Sequence, residues 1–294
     1  MVSISPLKLV LWTFRKSPDD VIDLYSTLSP VMQLATGGNM LNFGYWNNGA
    51  AGPIAAQKNL CSLVAAAAEL GSARTLVDIG SGLGAPAEHW KAMHEIDICC
   101  LNINREQLVS ASKHSKDSGP EAANAISAIN ATSISLPFRD HSADRIIALE
   151  SAQHFKPLPE FISECRRVIK PAGILVIAMP VTSSTLGRLA SFFKLGILSL
   201  TWSSEHYSMD HVRSAVSDGG FDIKDDIRIG HEVYEPLANY YMLNRQEIRE
   251  RILQEYPSFL ENVLCKSLAK MQQTSRKGII DYVIIKARLT SDLS

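Results

Sequence analysis

Short apolar runs alternate with amphipathic stretches from residue 75 onward, and this alternation predicts an α/β fold. The apolar runs that predict strands are Thr75–Ile79, Asp97–Leu101, Ala125–Ile129, Arg145–Leu149, Ile174–Met179, Phe221–Ile229 and Ile279–Ala287. The stretches with helical spacing are Pro86–Met93, Arg105–Lys116, Pro159–Ile169 and Met209–Asp218. Continuous apolar strands separated by helices are typical of a parallel sheet with helices on both faces.

Regions outside that sheet predict how the chain is divided. Residues 1–60 form an N-terminal helical cap, and residues 61–180 form the α/β core. Residues 181–275 supply a helical lid and substrate-recognition insertions around the sixth strand, and residues 276–294 supply the final strand and tail. Ligands of open parallel sheets lie beyond the carboxyl ends of the strands, so the lid overhangs the predicted site. The apolar stretch Leu186–Leu200 either forms a wall for the substrate or packs the lid onto the core.

Composition and charge restrict the class of protein. The chain has 294 residues, a formal net charge of −1 and no basic stripe, so nucleic acid is not a predicted partner. Arg188 and Lys194 interrupt the most apolar long stretch, which predicts no membrane span. Five cysteines without C-x-x-C spacing and an N-terminus without a secretory pattern predict reduced thiols in a cytoplasmic protein. The sequence implies no metal site and leaves open whether the protein is a homo-oligomer.

The loop after the first strand carries the clearest candidate chemistry. Asp78 ends the strand, and Gly80, Gly82 and Gly84 follow at alternating positions around Ser81. Glycines let a backbone approach a ligand closely, and the next helix offers unpaired N–H groups at its first turn. The loop therefore predicts a site for a nucleotide-like cofactor. Its spacing differs from the dinucleotide fingerprint G-x-G-x-x-G, because the third glycine comes one residue early.

Three further segments support that prediction: Met40–Trp46, Leu101–Leu108 and Ala148–Phe155. Together with the glycine loop they resemble class I S-adenosylmethionine-dependent methyltransferases, in particular the bacterial sugar and polyketide O-methyltransferases of natural-product biosynthesis. The resemblance covers roughly residues 20–290. It implies a Rossmann-like, seven-stranded, mostly parallel sheet whose last strand is antiparallel, with N-terminal helices and a late helical lid. It also implies S-adenosyl-L-methionine as the cofactor.

The same resemblance implies which residues bind the cofactor. Asn102 and Gln107 match the ribose ligands of these enzymes, although Asn102 has an amide where an acid is usual and could instead cap the next helix. The adenine contact has the candidates Asn130, Thr132 and Ser133, because no acid stands in that segment. The implied cofactor-binding residues are Asp78, Gly80, Ser81, Gly82, Asn102, Ile103, Gln107, Thr132, Ser133, Glu150, Tyr45 and Trp46.

The segment after the fourth strand faces the cofactor's sulfonium in this family, and it contains the catalytic candidates Glu150, Gln153 and His154. A hydroxyl acceptor must lose a proton, and an imidazole of ordinary pKa can accept one at neutral pH. His154 is therefore the predicted general base; alternatively, it only hydrogen-bonds the loop or the substrate. Glu150 orients the cofactor's amino group, polarises the substrate or holds a helix N-terminus. Gln153 stands where relatives often have a second histidine, and its amide can only orient a substrate.

Three functions fit this sequence. The first is methyl transfer to a partly apolar small-molecule acceptor, a natural product methylated on a hydroxyl oxygen. The second is C-methylation of an isoprenoid diphosphate or alkene, with or without cyclisation, for which the lid supplies Arg188, Lys194 and Trp202. The third is a scaffold that binds the cofactor without methylating anything. Fold alone does not distinguish these functions.

Overall fold

A sheet of seven strands forms the centre of the computed structural model, which describes residues 17–47, 49–117, 126–183, 194–198 and 204–290. The strands are β1 (Thr75–Ile79), β2 (Asp97–Asn102), β3 (Ile126–Asn130), β4 (Ala143–Leu149), β5 (Ile169–Thr182), β6 (Phe221–Arg228) and β7 (Ile280–Leu289). Their order in the sheet is β3-β2-β1-β4-β5-β7-β6. Strand β7 is antiparallel to both of its neighbours, and the other neighbouring pairs are parallel. The predicted Rossmann-like sheet is confirmed.

Helices cover both faces of this sheet and extend beyond its carboxyl edge. They are α1 (Pro18–Thr36), α2 (Pro53–Ala67), α3 (Ala85–Met93), α4 (Arg105–Asp117), α5 (Leu158–Val168), α6 (Met209–Asp218), α7 (Gly230–Leu243), α8 (Arg245–Glu255) and α9 (Ser258–Arg276). Helix α7 packs against α9, and α8 packs against both α1 and α9. Segments far apart in the chain therefore meet in one helical layer beside the sheet. Within the described ranges, no helix has the length and apolarity needed to cross a membrane.

Two apolar clusters lie on opposite sides of the sheet, and residues of the strands belong to both. Along β4, Ile146 and Ala148 pack in the cluster that contains α5 and α6, whereas Ile147 and Leu149 pack in the other. Successive strand residues point to opposite faces, so burial of both faces requires an apolar residue at every position. This is why the strands are continuous apolar runs in the sequence.

Most predicted bounds agree with the structure to within two residues, and β5 is the main exception. The strand begins at Ile169, five residues before its predicted start at Ile174. Ala143 pairs with Ile169 and Arg145 pairs with Ile174, so residues 170–173 bulge out of the ladder. A Cβ on Gly173 would lie 2.5 Å from Ile169 Cγ1, so the bulge depends on that glycine.

The predicted lid, residues 181–208, is described at 181–183, 194–198 and 204–208; Arg188 and Trp202 lie outside the described residues. Leu195 and Leu198 are fully buried in the apolar cluster. Lys194 is exposed. These two leucines therefore pack the segment onto the body of the protein. Packing of the lid onto the core was one of the two roles that the sequence left open.

Candidate cofactor and acceptor site

A cavity of about 310 Å³ opens at the carboxyl ends of β1, β2, β3 and β4; we call it the cofactor cavity. Its walls come from the loops that follow these strands, residues 79–83, 101–104, 131–134 and 149–151. Helix α1 and residues 39, 41 and 42 close it from the other side. The edge of the sheet at which it lies is the one where open parallel sheets bind their ligands.

The glycine loop shapes one wall of the cofactor cavity. Gly80 has φ 78°, and a Cβ there would lie 2.3 Å from Ser151 Cβ, so the neighbouring loop excludes a side chain. Gly82 has φ 56°, and no atom lies within 4 Å of an added Cβ. The left-handed backbone at both positions favours glycine. Open space beside Gly82 leaves room for a ligand against the bare backbone.

Asp78 lies beneath this loop and outside the cavity lining. Its side chain is 2% exposed, and Oδ2 has no hydrogen-bond partner in the described structure. Burial raises the pKa of Asp78 to about 7. The carboxyl group is therefore largely a neutral, structural group in the folded protein below that pH.

An amide pair replaces the usual acid at the end of β2. Asn102 Nδ2 donates to Gln107 Oε1 at 2.9 Å, and Asn102 Oδ1 accepts from the Asn104 N–H at 3.1 Å. Asn104 Oδ1 in turn accepts from the N–H groups of Glu106 and Gln107, at 3.0 and 3.2 Å. Asn104, rather than Asn102, therefore caps α4. Both members of the Asn102–Gln107 pair line the cofactor cavity with Ile103.

The candidates for the adenine contact separate in the structure. Thr132 and Ser133 line the cofactor cavity. Asn130 Nδ2 donates to the carbonyl oxygens of Asn102 and Ile103, both at 2.8 Å, and so ties β3 to β2. Asn130 is not part of the cavity lining.

A second cavity of about 400 Å³ adjoins the first, and we call it the acceptor cavity. Apolar side chains of α1, α7 and α9 supply most of its wall, among them Leu28, Met32, Leu237, Leu264, Leu268 and Met271. Ile197 of the lid segment also lines it. The residues that line both cavities are Tyr25, Leu41, Asn42, Glu150 and His154.

Glu150 lies at this junction, directly after β4, in a left-handed conformation with φ 51°. Its Oε1 accepts from the Phe43 N–H at 3.0 Å and from the Tyr282 hydroxyl at 3.1 Å. Burial raises the pKa of Glu150 to about 8, against the lowering effect of these two hydrogen bonds. Gln153 lines the acceptor cavity, and its Nε2 donates to the Glu150 carbonyl at 2.7 Å.

His154 forms a pair with a residue that the sequence reasoning missed. Tyr25 of α1 places its hydroxyl 2.8 Å from His154 Nε2, and the rings meet edge to face at 5.4 Å. The direction of the hydrogen bond depends on the imidazole tautomer. Burial raises the pKa of Tyr25, with the nearby Glu150 as the second cause. No motif marks Tyr25, because it lies in an ordinary amphipathic helix.

Tyr45 and Trp46 lie outside the lining of both cavities. Trp46 packs against Tyr240 with ring centroids 5.4 Å apart, and the Tyr45 hydroxyl accepts from Asn47 Nδ2. The segment instead brings Leu41 and Asn42 to the junction. The other predicted site residues lie together around the two cavities, apart from Asp78 beneath the loop.

Comparisons with known proteins agree with this geometry. Residues 77–177 match the family model described as a methyltransferase domain. Erythromycin 3''-O-methyltransferase of Saccharopolyspora erythraea is 25% identical, with 95% of this chain and 92% of that protein covered. The match to this relative extends over the α/β core and the helices that form the acceptor cavity.

Two solved structures share the fold. The [4+2]-cyclase SpnF is similar with a TM-score of 0.74 and 21% identity, covering 92% of this chain and 96% of that one. The cyclopropane synthase MmaA2 of Mycobacterium tuberculosis has a TM-score of 0.79 and 16% identity, covering 93% and 99%. Residues 77–177 therefore form a methyltransferase domain, and the sheet as a whole has the class I methyltransferase fold.

The cofactor cavity fits S-adenosylmethionine. The open space at Gly82 admits a ligand against the backbone. The Asn102–Gln107 pair offers amide donors and acceptors to a ribose. Asn42 Oδ1 is buried at the junction and accepts no hydrogen bond from the part of the chain that the structure describes, and a bound donor would recover the cost of burying it. When bound, the cofactor supplies an electrophilic methyl group on a sulfonium sulfur.

Proposed function

We propose that this enzyme transfers the methyl group of S-adenosylmethionine to a hydroxyl oxygen of a natural-product acceptor. The observation that carries this proposal is the Tyr25–His154 pair, because both residues line the cofactor cavity and the acceptor cavity. A hydroxyl in the acceptor cavity can therefore contact a proton-accepting pair while it faces the methyl donor. C-methylation of an alkene has no hydroxyl proton to remove before methyl transfer.

The pair gives the departing proton a path. With Tyr25 donating to His154 Nε2, the Tyr25 oxygen accepts the acceptor's proton as its own proton moves to the imidazole. With the donor bound, the acceptor oxygen would form its bond to the methyl carbon as the carbon–sulfur bond breaks and leaves a neutral thioether, and His154 would hold the positive charge. Alignment alone can remove much of the barrier to methyl transfer. We therefore assign the pair two roles, acceptance of the proton and positioning of the acceptor.

The wall of the acceptor cavity supports a neutral, largely apolar acceptor. Among the described residues, none of its lining side chains is a lysine or arginine. Its volume of about 400 Å³ is within the range of cavities that hold drug-sized ligands, about 300–1,000 Å³. Tyr240, Gln153 and Ser267 add a few polar groups that can fix the orientation of a substrate. The O-methyltransferase name of the relative from Saccharopolyspora erythraea supports oxygen as the acceptor atom.

C-methylation of an alkene is the second candidate, and the aromatic side chains of Tyr240, Tyr241 and Phe259 in the acceptor cavity favour it. Their ring faces can stabilise a carbocation. The diphosphate form of this candidate has less support. Lys194 is exposed and is not part of the described cavity lining. The likeness to a [4+2]-cyclase concerns the fold alone, so it does not favour the third candidate, a scaffold that binds the cofactor without methylating anything.

A labelling assay separates these functions. The enzyme is incubated with methyl-labelled S-adenosylmethionine and matched acceptors: a neutral macrolide, a glycoside, an isoprenoid alcohol and the same isoprenoid as its diphosphate. Fragment masses then locate the label on oxygen or on carbon. We expect label on a hydroxyl oxygen of a neutral acceptor. Label on carbon, preference for the diphosphate, or a rearranged product without label would reject O-methylation.

A further inference from the structure

Glu150 is a buried carboxyl group at the point where the two cavities meet, and none of the described cationic side chains pairs with it. Of the described residues that line the cavities, Lys156 alone is a lysine or arginine, and it pairs with Glu205 at 3.3 Å. The hydrogen bonds that Glu150 accepts come from neutral donors, the Phe43 N–H and the Tyr282 hydroxyl. Neutral donors orient a carboxylate, but they do not compensate its charge.

Titratable groups from α1, α2, α7 and β7 surround Glu150. Those whose charge acts on Glu150, or is acted on by it, are Tyr25, Cys61, Tyr234 and Tyr282, with His154 across the junction. Burial raises the pKa of each tyrosine and of the thiol, so these groups are neutral at physiological pH. Below about pH 8 the Glu150 carboxyl is also largely protonated.

The backbone fixes this carboxyl group in place. Glu150 adopts φ 51°, and its N–H donates to the Ala178 carbonyl at 2.7 Å. A non-glycine residue in this region is strained, and such residues concentrate at functional sites. The sequence Leu149-Glu150 therefore directs a carboxyl group to the junction at a cost in backbone energy.

We propose that Glu150 is the counter-charge for the sulfonium of bound S-adenosylmethionine, and that it thereby distinguishes the cationic methyl donor from S-adenosylhomocysteine. The sulfur of the product is an uncharged thioether, whereas both ligands carry the same amino and carboxylate groups. If Glu150 instead bound the amino group, it would therefore bind S-adenosylmethionine and S-adenosylhomocysteine equally well. The inference goes beyond the proposed function, because it holds whichever atom of the acceptor is methylated.

A proton balance follows from this assignment. The sulfonium stabilises the carboxylate form, so binding of S-adenosylmethionine releases the Glu150 proton to solvent. Between about pH 6 and pH 8 the affinity for S-adenosylmethionine should then rise about tenfold per pH unit and level off above pH 8. S-adenosylhomocysteine lacks the cation and should show no such slope. Once the methyl group has left, the carboxyl takes up a proton again and the product binds more weakly.

Isothermal titration calorimetry tests the proposal on the full chain. S-adenosylmethionine, S-adenosylhomocysteine and sinefungin, which has an amine in place of the sulfonium, are titrated at pH 7 in two buffers of different ionisation enthalpy. The wild-type protein should release close to one proton with each cationic ligand, about 0.9 at a free pKa near 8, and none with S-adenosylhomocysteine. Glu150→Gln keeps the acceptor oxygen for Phe43 and Tyr282. It should weaken S-adenosylmethionine about tenfold or more, while S-adenosylhomocysteine changes less than about threefold.

Asp78→Asn is the matched control, because Asp78 is the other buried carboxyl group near the cofactor and has a pKa raised to about 7. This variant should keep the proton release and the preference for the cationic ligands. Three results would overturn the proposal: equal weakening of both ligands in Glu150→Gln, proton release that persists there, or proton release that disappears in Asp78→Asn. Wild-type calorimetry alone overturns it if the two ligands release the same number of protons.

Discussion

The two halves of the active site are built in different ways. Loops after four neighbouring strands form the cofactor cavity, so most of its residues lie within one stretch of the chain, from residue 79 to residue 156. The acceptor cavity is enclosed mainly by α1, α7 and α9, which come from the two ends of the chain. The first half uses backbone turns and polar groups, and the second uses apolar helix faces.

This difference indicates which half of the active site can accept substitutions while the other half keeps its function. A turn such as the one at Gly80 and Gly82 depends on φ values that few residues adopt, so its sequence is tightly restricted. Apolar helix faces accept many side chains of suitable volume. We therefore expect substitutions in the acceptor cavity to alter the choice of substrate while cofactor binding is retained.

The largest expected effect is at Gly82 in the cofactor half. Gly82→Val places a branched side chain in the open space beside the glycine loop. We expect the affinity for S-adenosylhomocysteine to fall at least about a hundredfold, because the side chain takes volume that the ligand needs. The acceptor cavity should keep its shape. Calorimetric titration measures the loss of affinity.

Gly49→Val provides the control for backbone strain. Gly49 also has a positive φ, 74°, and open space around an added Cβ, but it lies in an exposed turn outside both cavities. The control variant should bind the ligand as the wild type does. Similar losses in both variants would show that strain, rather than occupied volume, weakens binding.

The next effect concerns the pair that joins the two halves. His154→Ala should lower kcat at least about a hundredfold, since removal of a general base costs roughly 10²–10⁴ in rate, with cofactor affinity nearly unchanged. Tyr25→Phe removes the hydroxyl between acceptor and imidazole and should lower kcat about tenfold or more. Gln153→Ala should mainly raise the KM of the acceptor, because an amide orients but takes no proton.

Steady-state kinetics with the acceptor found by the labelling assay measure these three variants. A His154→Ala enzyme with kcat within a few-fold of the wild type would mean that alignment alone drives the reaction. C-methylation would then become the better interpretation of this site.

A smaller effect is expected from narrowing the acceptor half. Met32 is half-buried on α1 and lines the acceptor cavity. Met32→Trp should raise the KM of a bulky acceptor about tenfold, because overpacking a filled site costs about 1–3 kcal/mol. Cofactor affinity should stay within about twofold. The same substitution at the exposed Met242 should change neither quantity, and a comparable rise in KM there would remove the evidence that this cavity holds the acceptor.

The smallest effect concerns stability rather than catalysis. Burial raises the pKa of Asp78 to about 7 from an ordinary value of 3.8, so between these values the folded protein holds a proton that the unfolded chain has lost. The free energy of unfolding therefore decreases as pH rises through this window. Asp78→Asn removes that loss and should raise the free energy of unfolding by up to about 4 kcal/mol at pH 8. Near pH 4 the gain should disappear.

Urea unfolding of the cofactor-free protein at both pH values checks this sign. A gain of equal size at pH 4 and pH 8 would point to a hydrogen bond made by the new amide. The charge of Asp78 would then not be the cause.

The sequence predicted those parts of the site that local patterns specify. Gly80, Gly82, Glu150 and His154 follow strands whose apolar runs are unambiguous, so their place at the carboxyl edge follows from the order of the chain. Tyr25 was not predictable, because its contact with His154 joins positions 129 residues apart. Helical spacing shows which face of α1 is apolar, but it does not show which residue that face meets.

The segment around Tyr45 shows the same limit. The resemblance predicted Tyr45 and Trp46 beside the cofactor, whereas Leu41 and Asn42 are the residues of this segment that line the cofactor cavity. Gly44 has φ 94°, and a Cβ there would lie 2.8 Å from Ala56 Cβ. The chain turns closely against α2 at this glycine, and the Trp46 ring that follows packs against Tyr240.

The sequence by itself determined the sheet, the cofactor loop and the class of enzyme. Strand periodicity and glycine conformation act between residues that are close in the chain, so their pattern can be read directly. The tertiary structure decided the Tyr25–His154 pair, the placement of the Glu150 carboxyl group among neutral hydrogen-bond donors, and the acceptor cavity. Each of these depends on contacts between α1, the core and α7–α9, and burial and charge compensation arise only once those distant segments have packed together.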